Sequence, residues 1–333
     1  MSIYVLNELK GANINLKKIS IFTPCYNEQD NVEELCIAVR NIMSNLPEYE
    51  YEHVLSDNAS TDNTWKILRR LAAEDKRIKI IENERNFGPE RSGAYGFFQT
   101  SGDASICLAC DFQDPPELLP EFIKKWEEGY KVVWGMKTSS EESKFMYFIR
   151  SLYYKIIDLF SDVKQYEQVT GFGLYDKKVV KLMQKENEPN PNFRNLIAEY
   201  GFQVGTIQYR QPKRKAGKSS YNFFSYFDLA LGSLVNTSTS LLKIAVFSGF
   251  FISFVSFILA LIYLVLKLIY WNEFDLGIAP IIISMFFLGG VQLAFLGVLG
   301  EYVGEILARI KHTPLVVEKC RINFEEEEND TIS

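Results

Sequence analysis

The chain has 333 residues, room for about two domains of ordinary size. Apolar residues make up 47% and charged residues 23%, a globular balance that argues against a disordered or fibrous chain. With 36 basic and 42 acidic residues the net charge is −6, which argues against a general nucleic-acid binder. The only two histidines, His53 and His312, lie far apart, which argues against a His-rich zinc site and a Ser-His-Asp triad. Acid, base or metal chemistry must then rest on carboxylates. Five cysteines without a framework spacing fit a reducing compartment. The amino-terminal stretch MSIYVLNELKGANINLKK lacks the apolar region of a signal peptide.

The first half of the chain alternates strand and helix patterns. Ile19 to Thr23 reads as a buried strand and Asp30 to Met43 as a helix. Tyr51 to Ser56 reads as a strand, followed by a helix over Thr61 to Ala73 with Ser60 or Asp62 as its cap. A strand over Ile78 to Glu82 precedes a helix over Glu90 to Thr100. A strand over Ala104 to Ala109 precedes a helix over Glu117 to Glu128, and Lys131 to Gly135 is a last strand. Repeated βα units predict an α/β domain with a mainly parallel sheet and helices on both faces.

The unusual polar residues cluster just after the predicted strands. Pro24-Cys25-Tyr26-Asn27-Glu28 follows the first and Asp57-Asn58-Ala59-Ser60 the second. Arg85-Asn86-Phe87-Gly88 follows the third, and Asp111-Phe112-Gln113-Asp114-Pro115-Pro116 the fourth. Open α/β sheets bind ligands beyond the carboxyl ends of their strands. A crevice lined by Asp, Glu, Asn and Gln suits a nucleotide. Asp111 and Gln113 offer hard oxygen ligands suited to Mg²⁺ or Mn²⁺ bridging a pyrophosphate. Cys107 and Cys110 form a lone C-x-x-C without a second pair, and neither a zinc nor a redox role is assigned to them.

Two charge-free apolar runs follow, at residues 244–266 and 276–300. Each has about 23 to 25 residues, or about 35 Å as helix, against a hydrocarbon core of about 30 Å. Only about nine residues separate them, so the pattern predicts a transmembrane hairpin. Arg210, Lys213, Arg214, Lys215, Lys218 and Lys243 precede it, and Arg309 and Lys311 follow it. The connecting loop carries Lys267, Glu273 and Asp275. Positive-inside logic places both termini in the cytoplasm. The expected division is a soluble domain at 1–221, an interfacial amphipathic segment at 222–242, the hairpin at 243–305 and a tail at 306–333. The acidic run Glu325 to Asp330 in that tail reads as a solvated stretch.

The ordered motifs P-C-Y-N-E, S-D-N-A-S-T-D-N-T, R-N-F-G and C-D-F-Q-D-P-P-E resemble those of the family 2 glycosyltransferases. Within that family the chain is most similar to polyprenyl-phosphate sugar transferases such as dolichol-phosphate mannose synthase and the bacterial undecaprenyl-phosphate glycosyltransferases. The resemblance covers residues of about 18 to 318 and implies a Rossmann-like GT-A type domain. It implies nucleotide-sugar binding by Pro24, Tyr26, Asn27, Glu28, Asp57, Asn86 and Gly88, and diphosphate and metal binding by Asp111 and Gln113. Arg214, Gly217, Ser219 and Tyr221 match a segment that in the family closes over the donor or the acceptor phosphate. Arg210, Arg214, Lys218 and Ser219 are the candidates for the acceptor phosphate, with Asp111 and Arg214 the catalytic pair. A homo-oligomer, a tetramer, is also implied. Ala109 stands where the family often has a first Asp, and Gly171-Phe172-Gly173 stands where many relatives carry Asp-Phe-Arg in the acceptor loop.

A missing base favours one acceptor chemistry. A phosphate monoester has a second pKa near 6 and is mostly ionised at neutral pH, whereas a hydroxyl needs its proton removed. The expectation is an inverting, metal-dependent transfer from a nucleotide-diphosphate sugar to a polyprenyl phosphate at the cytoplasmic membrane face. Transfer to a glycan or lipid hydroxyl and a catalytically silent nucleotide-binding membrane scaffold remain as alternatives. The sugar, the base (uracil or guanine) and the prenyl chain are left open.

Overall fold

The computed structural model describes residues 16–138, 169–186, 193–212, 240–270, 278–311 and 313–325. Two compact units hold them. One draws on segments 1–143, 166–219 and 313–333, the other on 144–165 and 220–312.

The first unit is built on an eight-stranded sheet. The early elements are β1 (Lys17–Cys25), α1 (Val32–Ser44), β2 (Tyr49–Asp57), α2 (Thr64–Glu74), β3 (Ile78–Asn83), α3 (Pro89–Phe98) and β4 (Ala104–Cys107). A 3₁₀ turn (Pro116–Leu118) leads into α4 (Leu119–Glu127), and then come β5 (Val132–Lys137), β6 (Val169–Asp176), α5 (Lys177–Glu186), α6 (Phe193–Tyr200) and β7 (Val204–Tyr209). The last strand is β8 (Glu318–Ile322), and the strand order is β7-β5-β6-β4-β1-β2-β3-β8.

The sheet is mixed, where the repeat of βα units predicted a mainly parallel one. β1 pairs in parallel with β2 and β4, β2 with β3, and β5 with β7, while β6 and β8 run antiparallel to their neighbours. β6 inserts between β4 and β5. Residues 318–322 of the expected tail form the edge strand β8 on β3. That pairing covers an edge whose backbone groups would otherwise lie open. The carboxyl ends of β1, β2, β3, β4, β5 and β7 therefore share one rim.

Two apolar layers hold the sheet. In α1 the buried residues Val32, Leu35, Cys36, Val39 and Met43 recur at helical spacing and face one side of the sheet, with Leu68 and Leu71 of α2 and Phe122 of α4. On the other side Ala94, Phe97 and Phe98 of α3 pack with Val179, Met183 and Ile197 of α5 and α6. α3 starts with Pro89 at its first position, behind Gly88 at φ 87°. The helix over Thr64–Glu74 starts after Asn63, whose own side chain makes no capping bond; of the two expected caps it is Asp62 whose Oδ1 accepts from the Thr64 amide at 2.9 Å, while Ser60 bonds elsewhere.

The second unit contains α7 (Ser240–Ile269) and α8 (Ile278–Ile310), of 30 and 33 residues. Both are longer than the charge-free runs, because the helices continue into flanking turns that carry Lys243, Glu301 and Arg309. Among the described residues, Phe287–Gly304 is long and apolar enough to cross a membrane, and α7 shows a shorter apolar stretch, Val246–Leu259. The expected interfacial segment falls outside the described residues up to position 239, and residues 240–242 are the first turn of α7.

Candidate functional site: a four-loop rim at the end of the sheet

β1 is the switch point of the sheet. From it the chain proceeds to β2 and β3 on one side, then returns to place β4 on the other. The loops after β1 and β4 thus border a crevice at the carboxyl end, where open α/β sheets take their ligands. Each of the four polar loops contains a residue in the left-handed region: Asn27 at φ 57°, Ala59 at 59°, Gly88 at 87° and Phe112 at 58°. For non-glycine residues such conformations cost on the order of 1–3 kcal/mol and cluster at functional sites.

The first two loops are zipped together. The Asn27 amide donates to Ser60 Oγ at 2.9 Å, and Thr61 N–H donates to Asn27 Oδ1 at 2.8 Å. The Glu28 amide donates to Thr64 Oγ1 at 2.8 Å. Tyr26 and Asn27 are exposed, and Pro24 and Glu28 are half-buried. Asp57 is 1% exposed. Its carboxylate accepts a short bond from Ser60 Oγ and a longer one, 3.3 Å, from the Ser60 amide. Burial pushes the Asp57 carboxyl up to about 6, against the two Ser60 bonds, with Glu82 and Asp62 adding to the rise.

Asn58 was not a predicted site residue, yet it ties the second loop to the third. Its Nδ2 donates to Asn86 Oδ1 at 3.0 Å and to the Gly88 carbonyl at 3.3 Å. Its Oδ1 accepts from the Phe87 amide at 3.0 Å and from Asn83 Nδ2 at 3.1 Å. Asn83 also donates to Ser92 Oγ at 2.8 Å. Asn86 and Gly88 are thereby held from beneath by a buried amide network. The signal in the sequence was an Asn at the end of each of two adjacent strands, and Asn58 reads equally well as a turn residue.

The fourth loop brings two carboxylates together. Asp111 and Asp114 are each 7% exposed. Asp111 Oδ1 accepts from the Gln113 amide at 3.1 Å. Asp114 Oδ2 accepts from the Ala109 amide at 3.3 Å, and its Oδ1 from the Tyr209 hydroxyl at 3.0 Å. Burial pushes Asp114 up to about 6; the Tyr209 and Ala109 bonds oppose the rise, Asp111 adds to it and Lys137 opposes it. The loop thus holds a second carboxylate even though Ala109 replaces a first Asp. Among the described residues no three His, Cys, Asp or Glu gather to hold a cation unaided. Asp111 and Asp114 are nonetheless buried carboxylates of one loop, with the half-buried Gln113 between them in sequence, and all three offer hard oxygen donors. That set fits a divalent cation sharing its remaining ligands with a diphosphate.

Other expected residues fall elsewhere. Gly171, Phe172 and Gly173 lie within β6 rather than in a loop. A Cβ at Gly173 would stand 2.5 Å from the Val133 carbonyl oxygen, so a larger residue is excluded by strand pairing. Arg210 is exposed directly after β7, on the same rim as the four loops. Arg214, Lys218 and Ser219, with Gly217 and Tyr221, lie outside the described residues. Cys107 ends β4, and the buried Cys110 lies beside Cys25, which supports a packing role for both.

Residues 20–183 match the family model described as Glycosyl transferase family 2. An uncharacterized glycosyltransferase of Synechocystis sp. is 32% identical over 90% of this chain and 93% of its own length. The bactoprenol glucosyl transferase of Shigella phage SfV is 32% identical over 91% of this chain and 98% of its own. Among solved structures, glucosyl-3-phosphoglycerate synthase from Mycobacterium tuberculosis, in complex with Mn²⁺, UDP and phosphoglyceric acid, aligns with a TM-score of 0.46 at 15% identity. That alignment covers 69% of this chain and 80% of the other.

Proposed function

The chain belongs to glycosyltransferase family 2, and from that premise we propose that it transfers a sugar, with inversion, from a nucleotide-diphosphate sugar to a polyprenyl phosphate at the cytoplasmic membrane face. The observation that carries this reading is the convergence of four polar loops on the rim beside the switch point. The lipid acceptor is supported by relatives whose names specify bactoprenol. The alignment with one of them leaves about a tenth of this chain uncovered, fewer residues than α8 alone contains. The acceptor we infer is undecaprenyl phosphate.

In this reading Pro24, Tyr26, Asn27, Glu28, Asp57, Asn86 and Gly88 bind the donor nucleotide. The diphosphate lies toward Asp111. An oxygen of the acceptor phosphate attacks the anomeric carbon, and the bond from that carbon to the nucleotide diphosphate breaks with its electron pair. Attack from the opposite side inverts the centre. No base is required, because the attacking oxygen is already ionised. The work left to the protein is alignment and charge neutralisation. Arg210, Arg214, Lys218 and Ser219 meet the acceptor phosphate. Asp111, Gln113 and Asp114 would hold Mg²⁺ or Mn²⁺, which when bound would neutralise charge on the leaving diphosphate.

The membrane reading rests on α7 and α8. Phe247, Phe250, Phe251, Phe254 and Phe257 of α7 are all more than 60% exposed, and none of the apolar stretch Phe287–Gly304 of α8 is buried. Large exposed apolar faces mark interaction with lipid or protein. We infer a two-helix hairpin with both ends cytoplasmic, a catalytic domain at 1–221 completed by β8, an interfacial segment from 222 up to α7, and a tail that returns after α8. The proposal includes self-association as a tetramer, which light scattering of the detergent-solubilised protein reads.

The test is incubation of the purified chain with Mg²⁺ or Mn²⁺, undecaprenyl phosphate and a panel of UDP- and GDP-sugars, measuring nucleotide diphosphate release. Release that requires the lipid phosphate and is lost in Asp111→Ala supports the reading. Lipid-independent release, or none from any donor, counts against it. Transfer to a hydroxyl is the second reading; there the buried Asp114, whose carboxyl is pushed up to about 6 by burial, would be the group to take the proton. The Tyr209 hydroxyl and the Ala109 amide, however, each engage one of its oxygens.

A further inference from the structure

The strand that returns after the long helices places a cation beside the donor site. Asp57 ends β2, and its register partner on β3 is Glu82. Residues in register across parallel strands present their side chains on one face of the sheet. On the other side of β3, Glu82 is the register partner of Cys320 in β8, and Lys319 precedes that cysteine. Lys319 Nζ lies 2.9 Å from Glu82 Oε1. The Glu82 side chain is 12% exposed and that of Lys319 56%, so the carboxylate end of the pair is the buried one.

We propose that Lys319 is a positioning residue for the nucleotide site: by neutralising Glu82 it keeps the neighbouring Asp57 in the ionised form that accepts hydrogen bonds from the nucleoside. The inference rests on the reading of Asp57 as a donor-binding residue. Among the described residues, the charged and titratable groups around Asp57 are few. β1 contributes the Cys25 thiol, the second loop Asp62, β3 Glu82 and β8 Lys319, with Glu84 also acting on Lys319. Lys319 is the one cation in this set. Without it two carboxylates share a poorly solvated corner, and two like charges so placed favour protonation of one. A segment beyond the membrane helices would thus set the protonation of a site built from the first third of the chain.

Calorimetric binding of UDP and of GDP to the full chain in detergent, from pH 5.5 to 8.5, tests this. Asp57→Asn checks the underlying reading: about tenfold weaker binding of whichever nucleotide binds supports it. If that variant binds as the wild type does, or the wild type binds neither nucleotide, the donor-site reading fails and takes the inference with it. For Lys319→Met the expected result is about threefold weaker binding at pH 6 and little change at pH 8.5, on the scale of a half-exposed ion pair. Lys319→Arg should bind like the wild type. The double variant Glu82→Gln with Lys319→Met should recover affinity at pH 6, which a merely structural role for β8 would not produce. Loss by the same factor at every pH without rescue by Glu82→Gln overturns the inference, as does no loss at all. In either case the Asp57→Asn result leaves the donor-site reading standing on its own.

Discussion

β2 carries a buried carboxylate near each end, and the two are treated in opposite ways. Near the amino end, burial alone would raise Glu52. Bonds from Lys18, Lys79, the Ser20 hydroxyl and the Ser101 amide overcome that and hold it down to about 2. Its salt bridges to Lys18 and Lys79 measure 2.7 and 2.8 Å. At the carboxyl end, burial wins over the Ser60 bonds and Asp57 stands at about 6. A carboxylate whose acceptor sites are filled by the protein contributes to folding. One whose ionisation is left under-supported is suited to a partner that supplies hydrogen bonds on arrival. The contrast separates a stabilising end of the sheet from the end where we propose the donor binds.

Substitutions at the two ends should separate the two roles. The largest effect expected is on turnover: Asp111→Ala should lower transfer by about 10³-fold, measured as nucleotide diphosphate release, with the melting temperature nearly unchanged. Glu52→Ala should do the reverse. It leaves Lys18 and Lys79 without their buried partner and should cost about 3 kcal/mol in denaturant unfolding, while nucleotide affinity per folded molecule stays constant. Equal losses of affinity in both variants would break the distinction.

The pH dependence gives a subtler contrast. Glu52 is held below its unfolded value, so its contribution is complete above about pH 4.5 and is lost as pH falls toward 2. Glu52→Gln should flatten acid unfolding in that window. Asp57 is held above its unfolded value, so the penalty for its buried charge grows as pH rises from about 4 through 6. Asp57→Asn should therefore raise stability at pH 8, on the order of 1 kcal/mol, while weakening nucleotide binding. The smallest effect is expected from Asn58→Ala, which should speed amide exchange at residues 85–88 and weaken nucleotide binding about fivefold without unfolding the sheet.

The loops of the site were legible because βα units are local. A strand, its following loop and the next helix lie within about thirty residues, and the polar residues of each loop stand next to the apolar run that positions them. Pairings across long stretches of chain were not legible. β6 sits between β4 and β5 only because its backbone pairs with both, and Gly173 reads as a missing catalytic residue until Val133 is seen pressed against it. Tyr209 is 95 positions from Asp114, and nothing local to either announces their bond. β8 carries five residues of mixed polarity, so its alternation is too short to mark a strand, and only the open edge of β3 explains it. Ser60 looked like a helix cap, but its hydroxyl bonds Asp57 instead, because the left-handed turn at Ala59 folds it back toward that carboxylate.

The central claim is transfer from a donor held on the rim of the sheet to a lipid phosphate. Its most direct test is isolation of the lipid product from a reaction that releases nucleotide diphosphate, with its mass and anomeric configuration determined. The account predicts one sugar joined through the phosphate of the polyprenyl chain, with configuration opposite to that of the donor. A sugar joined to a hydroxyl, a retained configuration, or free sugar with the lipid unchanged would contradict it.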